Sequence, residues 1–471
     1  MIMKKTVLSA LCMIAAGCLF SADWYVDNTK GNDSNAGSKD APFLTIKCGM
    51  DRMKGGDTLH LTPNSEPYRE KIGSFEKNLS GTPDKPTVVD GHDARIELIK
   101  HFNAEMWKPE GDDIYSLKYP NNCVAMFAKG YYAGFPFVRL DGKLIPCVTK
   151  REELQENTCL LILHYDVAKK GFSDLHNYLF VKLPPGKTPA DVKIEAPDNN
   201  NCLVNGSYIT IKNLTAEWNA SDSFDSSRGT GIVFENVKAA WCMDQCISAH
   251  STAGADIRFS SFANALCGGC LDVTFQNGES CNVRYYGCFF GPNASAGFKG
   301  TGKGYEMNSC ILRDGYVSVQ GEAVLKLTNC VIIKESDRSK ANSANVGVSV
   351  TDKGSLIMEN CTVIGFKHGG FFSTVGTVSI KNCVFIDCET NLLFMKDLSA
   401  ELFSSTDNVF APKGLYQVGN SKFKTLDEVN AKYQFDKGSV AVPGGYKGKG
   451  CNLDPKLTFE QLKTLLQTAV K

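Results

Sequence analysis

A short phrase, Φ-x-Φ-x-Asn-Cys-Φ-Φ with Φ apolar, recurs along the second half of this chain. It reads VLKLTNCVII at 324–333, SLIMENCTVI at 355–364 and TVSIKNCVFI at 377–386, with a weaker copy, YEMNSCIL, at 305–312. Near-identical phrases at such intervals mark stacked repeats, none of which can bury its apolar face alone. Aligning backwards from Cys383, Cys361, Cys330 and Cys310 adds Cys288, Phe262, Val237 and Leu214. Upstream of these lie two further apolar columns. One is Ile380, Met358, Leu327, Met307, Tyr285, Phe259, Phe234 and Ile211; the other is Val378, Leu356, Leu325, Tyr305, Val283, Ile257, Ile232 and Ile209.

Alternation with a period of two predicts short strands buried on one face, and the gap of three before the Cys column predicts a sharp corner. The residue at that corner is Asn382, Asn360, Asn329, Asn236 and Asn213, with Ser309, Ser261 and Gly287 in the other copies. Asparagine tolerates the left-handed backbone of a corner, and stacked amides can bond in a ladder. Short strands, one corner per repeat and a shared interior column predict an all-β parallel β-helix.

These features resemble the right-handed parallel β-helix superfamily, the pectate-lyase-like group of secreted carbohydrate-active proteins. The stretch DWYVDNTKGNDSNAGSKDAPFLTI followed by GGDTLHL at 55–61 is similar to that group's cap and first coil, implying a short helix at about 43–53 over the open end. Cap and early coils then span 23–99, and KPTVVDGHDARIEL belongs to them. Residues 100–196 break the pattern with longer alternating strands and hairpin turns, similar to a small antiparallel β insertion. The main β-helix follows at 197–411. The closing segment is 412–471, with an amphipathic helix near 458–470 expected to plug the far end.

The start, MIMKK before TVLSALCMIAAGCLF and SAD, reads as a secretory signal over 1–22, cut after Ala22. The expected location is secreted or periplasmic. Ala-Ala-Gly-Cys at 15–18 resembles an acylation box and leaves a lipid-anchored surface form as the alternative. No stretch is long and apolar enough to cross a membrane. With 51 basic and 51 acidic residues and no long run of either sign, no nucleic-acid partner is expected. Two of the 19 cysteines fall in the leader, and the odd remainder cannot all pair. Those at the repeat position read as buried reduced thiols. Cys267, Cys270, Cys242 and Cys246 lack zinc-type spacing with histidines and read as structural.

Outward side chains of successive coils stack about 4.8 Å apart. Aligning SFDSSRG, CISAHST, CLDVTFQ, GFKGTGK and YVSVQGE puts Phe224, Ile247, Leu271, Phe298 and Val317 inside. The outward column is then Asp225, Ser248, Asp272, Lys299 and Ser318, beside a second column of Ser227, His250, Thr274, Thr301 and Gln320. Asp222 and Asp244 fall just upstream. Asp225, Asp244, His250, Asp272 and Lys299 are therefore the candidate catalytic residues, because a like-charge stack is costly unless it binds cation or substrate. The bland alternative is a solvated polar face.

Two reactions fit this set. A glycosidase needs two carboxylates flanking the bond, with Asp244 and Asp272 the leading pair and His250 positioning them. A lyase needs a base, Lys299 with its pKa lowered by burial, and Ca²⁺ held by Asp222, Asp225, Asp244 or Asp272. Carboxylates outnumber bases, so hydrolysis of an extracellular polysaccharide by a monomer is the expectation. A non-catalytic glycan-binding surface protein is the alternative from a different class. Trp218 and Trp241 occupy equivalent places and are read as a sugar-stacking shelf or as a core pair. Thr274, Thr301 and Gln320 complete the substrate-binding candidates.

Overall fold

A computed structural model shows a parallel β-helix with three faces. It describes residues 21–119, 136–163, 177–198, 201–266, 268–274, 282–292, 294–335, 345–397, 399–411, 414–433, 435–442 and 449–469. The stretch expected to be a secretory leader, apart from Ser21 and Ala22, and Cys267 lie outside them. Two faces belong to one 20-stranded sheet and meet at the predicted corner; the third is a 12-stranded sheet. Strands such as Ile209–Glu217 and Ile232–Cys242 run through the corner and contribute to both of the first two faces.

The corner residues take the left-handed conformation the sequence calls for. Asn213, Asn236, Asn329 and Asn382 have φ of 52° and Asn360 has 53°, with Ser309 and Gly287 at 54° and 62°. Amides stack there: Asn236 Nδ2 donates to Asn213 Oδ1 and Asn213 Nδ2 to Asp90 Oδ1, both at 2.9 Å. Cys288, Cys310, Cys330, Cys361 and Cys383 are free and fully buried. Their sulfurs also accept hydrogen bonds. The N–H of Cys310 points to Cys330 Sγ at 3.4 Å, and that of Cys330 to Cys361 Sγ at 3.5 Å.

One copy departs from the predicted register. Ala239, rather than Val237, pairs with Phe262, and the corner of that coil is Phe259 at φ 48° instead of Ser261. Ser260 Oγ takes over the missing role and accepts the Val237 N–H at 3.1 Å.

The N-terminal cap helix forms at Ile46–Arg52. Thr45 caps it by accepting the Cys48 N–H, and Glu70 accepts the N–H groups of Ile46 and Lys47. At the other end the plug is not the helix that the sequence pointed to. Helix Leu426–Tyr433, with Val429 and nearby Phe435, closes the core. Helix Phe459–Ala469 instead lies along the flank, where Leu462 and Leu466 cover the outward apolar side chains Phe289, Ile311, Val331 and Ile333.

The insertion leaves at Ile99–His101 and returns at Ile194–Pro197, two strands paired antiparallel. Both belong to a four-stranded sheet, which shares one core with a five-stranded sheet formed by the residues between them. That core continues into the β-helix through Ala220 and Met243, with Leu266 packed against it. These residues sit in the turns that lead into the third face. The insertion is therefore docked immediately beside the candidate site. Among the described residues, no helix is long and apolar enough to cross a membrane.

Candidate functional site

The third face carries strands Phe224–Ser226, Gln245–Ser251, Gly268–Thr274 and Ala296–Gly300 in successive coils. Phe224 pairs with Ile247, so Asp225 lies beside Ser248, as the sequence alignment had it. At the next coil the register slips by one. Ile247 pairs with Cys270 and Ser248 with Leu271, and Cys270 in turn pairs with Ala296. The real outward column is Asp225, Ser248, Leu271, Gly297 and Ser318.

The slip moves Asp272 to the inside. It is fully buried and accepts the Tyr285 hydroxyl on both carboxylate oxygens, at 3.1 and 3.0 Å. Burial pushes its pKa up to about 7, against the Tyr285 hydrogen bond and the charge of His250. Thr274 is also buried, its N–H donating to the Tyr305 hydroxyl at 2.9 Å, so it cannot meet a substrate from outside. Lys299 is exposed and pairs with Val273, two coils or roughly 10 Å from His250. Nothing buries it, which removes the argument for a lysine base. Thr301 sits in the turn beyond that strand, not in the His250 column, and donates its N–H to the Thr274 carbonyl at 3.0 Å. Gln320 follows Val319 on the same outer face as Lys299 and is half-buried.

Asp244 lies in the turn before Gln245–Ser251, where the Gln245 amide donates to its carboxylate. The Asp244–Asp272 pair expected for a glycosidase is thus divided between a turn and the core. Trp218 and Trp241 stack at 5.2 Å with planes 7° apart. Trp218 is buried, and the Arg139 guanidinium of the insertion covers it at 3.9 Å. The pair is a docking joint for the insertion, and only Trp241 keeps partial exposure.

What the structure does bring together is Asp222, Asp225 and His250. One ligand atom from each lies within 4.8 Å of the others. Asp222 is held by the Gln245 N–H at 2.9 Å and the Ser248 hydroxyl at 2.6 Å. His250 Nε2 is 4.0 Å from Asp222 Oδ2 and 3.9 Å from Asp225 Oδ1. Asp225 Oδ1 is sequestered without a hydrogen bond among the described residues. Burial, reinforced by the Asp222 charge, raises the Asp225 pKa to about 6 despite His250. Burial works against charge on His250, but the two aspartates outweigh it and lift its pKa to about 9. An acid poised near neutrality therefore stands beside an imidazolium. Gln245 and Ser248 fix Asp222; Ser248 stood in the predicted outward column, but neither was read as a site residue because neither carries charge.

Calcium does not fit this cluster. Two carboxylates and a ring nitrogen fall short of the six to eight oxygens that Ca²⁺ takes, and Asp272 is turned away from it.

A family model described as right-handed β-helix region matches residues 317–429. No curated protein matches the sequence. Among solved structures, one described as a glycoside hydrolase is 11% identical over 93% of this chain and 100% of its own, with a TM-score of 0.50. The complex of XylC with xylose is 11% identical over 93% and 87%, TM-score 0.49. Pectate lyase Pel9A is 14% identical over 91% and 83%, TM-score 0.43. At these identities the likeness is one of fold.

Proposed function

We propose that this chain, a right-handed parallel β-helix, acts outside the cell as a carbohydrate-active enzyme that hydrolyses glycosidic bonds of a polysaccharide, with Asp225 as general acid and base. The observation that carries the reading is the Asp225 carboxyl, whose pKa is raised to about 6 and whose Oδ1, without a hydrogen bond among the described residues, lies 3.9 Å from His250 Nε2 beside Asp222. Perturbed carboxyls on an outer face are what acid–base chemistry needs and what a merely solvated face lacks.

A glycosidase requires one carboxyl that gives a proton to the leaving oxygen and a second that stays ionised near the anomeric carbon. Asp225 meets the first need. Asp222 is the second carboxylate within reach, and its oxygen lies within 4.8 Å of the Asp225 oxygen. That is closer than the roughly 6.5–9.5 Å that leaves room for an attacking water, and nearer to the roughly 5–5.5 Å of enzymes that retain anomeric configuration. Asp222 keeps little exposure, so the sugar has to displace the Ser248 hydroxyl to meet it. His250 supplies the positive charge that keeps two carboxylates tolerable at this distance.

The test is a panel of neutral and acidic polysaccharides. New reducing ends without an ultraviolet-absorbing unsaturated product, reduced about 10²–10⁴-fold by Asp225→Asn, support the reading. An unsaturated product would establish elimination instead. Binding without turnover, unchanged in Asp225→Asn, would make the chain a glycan-binding module.

A further inference from the structure

A second cluster lies on the first coils, on the 20-stranded sheet rather than on the face that carries Asp225. Strands Asp23–Val26, Thr58–Leu61 and Thr87–Glu97 are parallel neighbours, with Tyr25 paired to His60 and His60 to Asp90. His60 stacks on Tyr25 at 4.6 Å, and the His60 and His92 rings lie 5.2 Å apart. His60 Nδ1 and His92 Nε2 face one another at 2.9 Å. We infer that these two nitrogens form a binding site for a divalent transition-metal ion of the Zn²⁺ class.

Three features carry the inference. Each ring has its far nitrogen turned to a carboxylate: His60 Nε2 to Asp23 Oδ1 at 3.4 Å, and His92 Nδ1 to Asp90 Oδ1 at 3.7 Å. A carboxylate near the far nitrogen of a metal-binding imidazole helps to orient the ring toward the metal. Asp90 is itself anchored by Asn213 Nδ2 at 2.9 Å and by Lys212 at 3.1 Å. Second, His92 takes a left-handed φ of 48° at a corner that later coils give to asparagine. Its side chain is thereby aimed across the coil at His60. Third, the spacing is close to what a metal needs. Two bonds of roughly 2.0–2.1 Å at a tetrahedral angle separate the nitrogens by about 3.4 Å, a small torsional widening from 2.9 Å.

Imidazole nitrogens select Zn²⁺, Cu²⁺ and Ni²⁺ over Ca²⁺ and Mg²⁺. When the ion binds, the proton shared by the two rings moves to a far nitrogen facing a carboxylate, and waters complete the coordination. Ligands and supports come from three successive strands, so the ion would staple the first coils together.

The experiment uses tag-free full-length protein, titrated with ZnCl₂ by calorimetry and melted with and without Zn²⁺. Expected are a thermal midpoint that rises in Zn²⁺ and returns with EDTA, and loss of both heat and shift in His60→Gln and His92→Gln. Asp23→Asn should weaken Zn²⁺ binding by about tenfold or more. His92 is half-exposed, so its variant carries the test if His60→Gln misfolds. No binding by the wild type overturns the inference. So does a shift that survives both histidine variants or is abolished by His250→Gln, which would place the ion at Asp222, Asp225 and His250.

Discussion

Lys463 Nζ donates to Asn236 Oδ1 at 2.6 Å across 227 residues of sequence. Each amide in that ladder donates to the one below it, so the top member is left with an open acceptor, and a charged donor from the flanking helix fills it. Lys463→Ala should cost about 1.5–3 kcal/mol in a urea unfolding series, the usual worth of a hydrogen bond with one charged partner. Lys463→Gln, which retains a donor, should recover part of that.

The acid–base cluster predicts two pH trends of the same sign, in separate windows. A base whose pKa rises on folding lends stability that is fully present below its unfolded value, near 6.5, and lost as pH climbs through about 9. His250→Gln should abolish that fall in urea midpoint between pH 6.5 and 9. Asp225 runs the same way at lower pH. Its pKa rises from 3.8 to about 6, so its cost is absent in strong acid and complete above pH 6. Catalysis needs it protonated, so turnover should decline as pH rises through about 6.

Asp272 is a carboxyl facing the core of the β-helix, with its pKa raised from 3.8 to about 7. Ionising it costs stability, and that cost grows between those two values. Asp272→Asn should therefore be more stable relative to wild type at pH 8 than at pH 5. The same variant should lower the pKa of His250, which feels the Asp272 charge from the adjoining coil; the imidazole NMR titration reads this directly.

Trp218→Ala should break the stack of Arg139, Trp218 and Trp241 and cost about 3 kcal/mol or more, as large aromatic truncations do. Because Trp218 is buried, the loss should appear as early unfolding, with an unchanged KM for any polysaccharide that is turned over.

The thiols should separate by exposure. In native protein a thiol reagent should modify Cys48 and Cys451, the only partly exposed described cysteines, before Cys288, Cys330 or Cys383. Burial holds those three far above the usual thiol range. Mass spectrometry of quenched samples gives the order.

The interior columns and asparagine corners were legible because every coil repeats them with the same residue types. The errors arose where one coil departs from that habit. At 255–265 the corner passes to Phe259, which no propensity rule favours at φ 48°. At Gly268–Thr274 the alternation was anchored on Leu271 as the more apolar choice, yet the smaller Cys270 lies inside and Leu271 outside. One residue of slip reverses every side chain, and so turned Asp272 and Thr274 the wrong way. Asp222, Asp225 and His250 were placed together because Phe224 and Ile247 do pair. The joint role of Trp218 depended on Arg139, which no local pattern in the sequence brings near it.

The flanking helix Phe459–Ala469 changes what kind of polymer this solenoid is. A plain stack of coils couples only neighbours and can fray inward from either end. Here the final segment reaches back, joining Lys238 to Glu460, Asn236 to Lys463 and Asn329 to Cys451 and Asn452. Coils built from earlier residues are thus locked by residues far along the chain. Unfolding should be more nearly all-or-none than a ladder of this length would otherwise allow, and a chain that keeps the flanking helix should be slower to unfold than one cut before it.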